Sequence, residues 1–189
     1  MHTLDRSVAT RPYGRFFLPG PTEVHPDVLA AQTRPMMGHR GAEAQAFMQG
    51  IHRRLERVFM TERPVFVSTS SATGLMEAAV RNAGRERILS LVNGAFSQRF
   101  ADIAKACGFE VDTLDVRWGE AHEPEAVRRR VAEGSYDAVT LVHSETSTGV
   151  LNDVAALSAA IRETPDTLVL VDSVTGFGAA EVRPDDWGV

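Results

Sequence analysis

Five short apolar runs rich in β-branched residues, at 65–69, 87–92, 110–114, 138–143 and 167–172, alternate with stretches of helical character. This alternation constrains the fold more tightly than any other feature of the chain. Apolar runs of this length, bounded by polar turns, read as strands covered on both faces. The stretches between them, at 74–82, 97–107, 124–133 and 154–163, are long enough for a helix to cross back over a sheet. Repetition of the unit predicts an α/β fold: a three-layer αβα domain with a mainly parallel, doubly wound sheet and right-handed crossovers.

A further helix is expected over 42–59, ahead of the first strand. Phe47, Ile51, Leu55, Val58 and Phe59 recur there at steps of three and four, which defines one apolar face for burial. Gly84, Gly108 and Gly134 stand near predicted helix ends, where a left-handed C-cap suits glycine. Six prolines and glycines fall between Pro12 and Pro26, so the first forty residues read as an irregular arm. The expected organisation is an arm over 1–40 and one domain over 41–189.

With 189 residues, 43% apolar and 24% charged, the chain can bury one substantial core. A net charge of −5 and scattered arginines provide no basic stripe, so nucleic acid is not an expected partner. The lone Cys107 has no second thiol for a disulfide or a metal and reads as a small hydrophobe on a helix. No apolar run approaches the length of a membrane span, and residues 1–15 contain no apolar signal core. The expectation is a soluble, cytoplasmic protein in a reducing compartment.

Chemistry gathers where the runs end. Asp172 closes the apolar run 168–171 and points into the crevice where open α/β sheets bind ligands, where a carboxylate can meet a cationic ring nitrogen. Such a ring would depress the carboxyl pKa and keep it ionised. Ser71-Ala72-Thr73 precedes a helix, and small residues, hydroxyls and free helix amides suit a phosphate; the same residues also make an ordinary N-cap. Phe96, in Asn93-Gly94-Ala95-Phe96, can stack on a planar ligand, worth about 0.5–1.5 kcal/mol beyond area burial, or can simply staple its helix to the core. The loop 143–149, His143-Ser144-Glu145-Thr146-Ser147-Thr148-Gly149, offers hydroxyl donors. His143 reads as a buried residue satisfied by a backbone carbonyl, because Asp172 already accounts for the electrostatics. Four loops at strand ends thus supply the parts of one site.

These motifs, together with Leu18-Pro19-Gly20-Pro21-Thr22 and Gly38-His39-Arg40, resemble the class V group of fold-type I pyridoxal-phosphate aminotransferases. The likeness is greatest to the alanine–glyoxylate, serine–pyruvate and 2-aminoethylphosphonate branch and covers nearly the whole chain. It implies that Ser71, Ala72 and Thr73 hold the cofactor phosphate and that Phe96 stacks on the pyridine ring. It further implies that Thr146 bonds the ring oxygen, Asp172 pairs with the ring nitrogen, and the Gly20 backbone approaches the substrate carboxylate. The cofactor would be pyridoxal 5′-phosphate, the substrates small amino acids and 2-oxo acids, and the assembly a homodimer. No metal is implied.

Two departures are mild: Ala72 stands where the family often has glycine, and Phe96 where it has tryptophan or tyrosine. The third is larger. The Schiff-base lysine expected some two dozen residues after Asp172 is absent, and the single lysine, Lys105, lies mid-helix as a surface residue. The resemblance therefore implies the first half of a large domain, with no catalytic residue of its own. A non-catalytic module binding pyridoxal phosphate or another phosphate remains an alternative, as does another class V enzyme such as a cysteine desulfurase. A dinucleotide-binding reading of Gly176-Phe177-Gly178 is disfavoured by Glu181 at the third small position and by Pro184.

Overall fold

A computed structural model describes Gly14 and residues 18–189. The part of the expected arm at 1–13 and 15–17 lies outside the described residues. The chain forms two compact units, Met1–Ala46 and Phe47–Val189. The first holds the short helix α1 (Pro26–Ala31), whose N-cap His25 accepts from the Asp27 amide, and the start of α2 (Ala42–Phe59). The second unit carries the sheet.

Four parallel strands make that sheet in the order β2 (Glu110–Asp115), β1 (Arg87–Val92), β3 (Ala138–Val142), β6 (Leu168–Asp172). Helices α3 (Ala72–Ala83), α4 (Ala95–Ala106), α5 (Pro124–Ala132) and α6 (Val154–Arg162) complete the two outer layers. Alternation along β1 feeds both faces. Leu89 and Leu91 pack with Val127, Val131, Leu157 and Ile161 of α5 and α6, while Ile88 packs with Met76, Val80, Phe100 and Ala104 of α3 and α4. Each buried Leu or Ile in these clusters contributes roughly 1.5–3 kcal/mol of transfer free energy. A two-stranded antiparallel ribbon, β4 (Ser144–Glu145) with β5 (Val150–Leu151), and a final short helix α7 (Pro184–Trp187) complete the fold.

The sequence reading and the structure agree on the three-layer architecture and on four of the five strands. Residues 65–69 are the exception: they form no strand, with Phe66 89% and Val67 60% exposed. A strand needs a hydrogen-bonding neighbour, and among the described residues none lies alongside this run. The apolar face of α2 is also covered less than expected. Phe47 and Val58 are exposed, Ile51 and Leu55 half-buried, and Phe59 stacks on Phe177 with ring centroids 4.1 Å apart. Periodicity shows which face is apolar and is silent on what covers it.

Of the three expected left-handed caps only Gly108 adopts one, at φ +94°. Gly84 and Gly134 are required for proximity instead. A Cβ on Gly84 would meet the Phe109 ring at 2.7 Å, and one on Gly134 the Tyr136 ring at 2.5 Å. No helix among the described residues is long and apolar enough to cross a membrane.

Candidate cofactor site

The chain leaves β1 toward β2 on one side and leaves β3 toward β6 on the other, so the strand order reverses between β1 and β3. Open α/β sheets form their ligand crevice at such a point, outside the carboxyl ends. The loops beginning at Asn93, His143 and Ser173 all emerge there, following β1, β3 and β6.

Asp172 ends β6. Its backbone carbonyl accepts from the His143 amide at 2.8 Å, and its Oδ1 accepts from the Val174 amide at 3.0 Å. Burial pushes its carboxyl pKa upward, the Val174 amide opposes this, and the negative charge of Glu145 adds to the rise. No cation of the chain acts on it among the described residues. A half-buried carboxylate with one amide donor and an upward-shifted pKa is an acceptor suited to a protonated ring nitrogen. A cavity of about 640 Å³ joins Asp172 to Ala72, Leu75 and Met76 of α3 and to Val174 and Phe177. Asp172 and the start of α3 therefore lie at the same end of the sheet.

Ser71 is the N-cap of α3, and its hydroxyl accepts from the Gly74 amide at 3.3 Å. Ser71 and Thr73 are exposed, and the first helix amides have no intrahelical partner, which suits a phosphate. A Cβ on Gly74 would overlap the Ser70 hydroxyl in its present rotamer.

Phe96 is half-buried, with the Arg99 guanidinium 5.0 Å from its ring centroid. Thr146 is half-buried, and its hydroxyl pairs with that of Thr175 at 2.6 Å. Gly20, in the first unit, is exposed and precedes Pro21 through a cis peptide bond. His143 is buried as expected, but its Nδ1 pairs with the Ser173 hydroxyl at 2.9 Å and not with a carbonyl. Lys105 is exposed on α4.

Sequence reasoning passed over three residues that organise these loops. Glu145 is fully buried and spans β4 and α4. Ser97 Oγ accepts from the Asn93 and Gly94 amides at 3.0 Å each. Asn152 ties the β1 and β3 loops by accepting from the Asn93 side chain at 3.4 Å and donating to the Val142 carbonyl at 2.8 Å. Their polar types gave no hint of burial, since Glu, Ser and Asn in turns usually face water.

Residues 22–189 match the family described as aminotransferase class V. The chain belongs to that family. This class V chain is 38% identical over 177 residues to an uncharacterized aminotransferase of Methanocaldococcus jannaschii, covering 91% of the chain and 45% of that relative. The crystal structure of an aspartate aminotransferase of subgroup IV from Thermus thermophilus superposes with a TM-score of 0.82 at 41% identity, covering 90% of this chain and 49% of that one. That of an alanine–glyoxylate aminotransferase from Nostoc sp. gives 0.85 at 31%, covering 100% and 52%. The class V chain thus spans about half the length of the relatives it matches.

Proposed function

We propose that this chain supplies the cofactor cradle of a pyridoxal-phosphate aminotransferase that moves an amino group from a small L-amino acid, of alanine or serine type, to glyoxylate or pyruvate. The observation that carries the reading is Asp172. It is a half-buried carboxylate at a strand end, with no cationic partner among the described residues, opening onto one cavity with the N-terminus of α3. When bound, the cofactor supplies an electron sink that stabilises negative charge on the substrate carbon. Asp172 would keep the ring nitrogen protonated, Ser71, Ala72 and Thr73 would hold the phosphate, Phe96 would cover the ring, and Thr146 would hold the ring oxygen. Gly20 would approach the substrate carboxylate. Residues 1–40 would form an arm and substrate-pocket segment, and 41–189 part of the cofactor-binding domain of a homodimer.

Small-residue donors and glyoxylate are supported by the name of the Nostoc relative. Lys105 is exposed on α4 and is the one lysine of these 189 residues, so none stands among the loops of the site. The same fact favours a second reading, a module that binds the cofactor without turnover.

One experiment separates them. The longest continuous reading frame is expressed and pyridoxal phosphate added. The aminotransferase shows a visible absorption band that borohydride abolishes and that an amino donor such as alanine bleaches until glyoxylate restores it. A band that no donor changes leaves the module, and no binding at all rejects both.

A further inference from the structure

Resting on that reading, we infer that Glu145 is the positioning residue of the cradle: its buried carboxylate locks the Phe96 loop to the Thr146 loop and so sets the gap into which the ring fits. Glu145 is 0% exposed, although glutamate is almost never fully buried without partners. Its partners come from two loops. One oxygen, Oε2, accepts from the Ser97 amide at 2.9 Å, the Ser97 hydroxyl at 3.0 Å and the Phe96 amide at 3.2 Å. The other, Oε1, accepts from the Ser147 hydroxyl at 2.7 Å, the Ser147 amide at 3.1 Å and the Phe96 amide at 3.3 Å. The Ser147 hydroxyl in turn accepts from the Ala95 amide at 2.9 Å.

The carboxylate therefore sits on the N-terminus of α4, where unpaired amides and the helix dipole favour negative charge. Phe96 and Thr146 lie on separate strand exits fifty residues apart in sequence. Glu145, the last residue of β4, touches the backbone of Phe96 and, with the Ser147–Ala95 bond, ties the two exits together. The glycine before α4 fits the same arrangement. Gly94 has an extended backbone open to any residue, yet a Cβ there would overlap Glu145 Cγ and lie 2.5 Å from its Cδ. Gly94 exists to admit the carboxylate. Burial alone would push the Glu145 pKa up, but the hydroxyl and amide donors outweigh it and hold the carboxyl below its ordinary value. The resulting fixed negative charge acts on Asp172 and strengthens its demand for a cation.

The arrangement assigns Glu145 to the ring and not to the phosphate, because none of its hydrogen bonds reaches Ser71, Ala72 or Thr73. The test uses the full reading frame with two probes: pyridoxamine 5′-phosphate, followed by fluorescence, and inorganic phosphate, followed by titration calorimetry. Glu145→Gln keeps the shape but turns an amide group toward donors. It should weaken pyridoxamine phosphate about tenfold or more and shift the absorption maximum of the bound ring, with phosphate affinity within about twofold of wild type. Gly94→Ala retains the charge but displaces the carboxylate, and should reproduce the selective loss. Ser147→Ala removes one donor and should give a smaller loss of the same kind, which decides the matter if Glu145→Gln does not fold.

Equal weakening of both probes would make Glu145 a residue of the fold alone and overturn the inference. So would unchanged pyridoxamine phosphate affinity and spectrum. A wild-type protein that binds neither probe rejects the proposed function itself, and the inference with it.

Discussion

The His143 amide donates to the Asp172 carbonyl across 2.8 Å, so the last rung between β3 and β6 joins the first residue of one polar loop to the final residue of β6. Regular sheet ends where the candidate chemistry begins. The orientation of Asp172 is thereby set by the rigid part of the molecule, as a cradle requires.

Asp172 yields two expectations of opposite sign. Its folded-state pKa lies above the ordinary 3.8, so the folded protein binds more protons than the unfolded chain in the interval above 3.8. Stability present below 3.8 is then lost as pH rises through the folded value. In the cofactor-free protein Asp172→Asn should raise the melting temperature at pH 7 and leave it unchanged near pH 3, as read by calorimetry. On the proposed function, Asp172→Ala in the full reading frame should lower transamination at least about a hundredfold, and much more than cofactor retention. Equal turnover in the mutant would remove the ring-nitrogen role.

His122, whose amide donates to the Asn152 side chain at 3.1 Å, provides an acid-sensitive element. It is buried, neither ring nitrogen has a hydrogen-bond partner among the described residues, and burial lowers its pKa to about 4 against a smaller opposing effect of Asp115. A histidine depressed from 6.5 contributes stability above 6.5 that is lost as pH falls toward 4. Its full size is up to about 3 kcal/mol. His122→Phe should therefore flatten the stability profile between pH 6.5 and 4 while changing stability at pH 7 by less than about 1 kcal/mol. Urea unfolding at several pH values checks this.

Ser71 separates capping from ligand binding. Ser71→Ala removes the acceptor for the Gly74 amide and should cost about 1 kcal/mol of stability. If the hydroxyl also holds phosphate, inorganic phosphate should bind roughly three- to tenfold more weakly. Loss of stability with unchanged phosphate affinity would mark a cap alone.

Leu157 tests the layer that supports the site from behind. It is fully buried on α6 in the cluster with Val139, Leu141 and Val169. Leu157→Ala should destabilise by roughly 2–5 kcal/mol in chemical denaturation.

What could be read from the sequence follows the range of the forces involved. The run 87–92 reads correctly because Ile88, Leu89 and Leu91 are apolar on both faces, a local signal of a central strand. The run 65–69 carries the same signal, but pairing depends on a neighbour distant in sequence. The places of Asp172 at a strand end and Ser71 at a helix start are legible because both are local features. That of Glu145 is not. Its burial depends on donors from Phe96 and Ser97, nearly fifty positions earlier, and a glutamate between serine and threonine reads as a wetted turn. The brief β4–β5 ribbon is illegible for a related reason, as two-residue strands carry no periodicity.

The placement of Lys105 on the outer surface of α4 has a practical side. Within these 189 residues Lys105 is the one lysine side chain open to amine-directed conjugation. A single dye at that point leaves every loop of the crevice chemically untouched, so ligand-induced quenching or anisotropy can be followed without disturbing what is being measured.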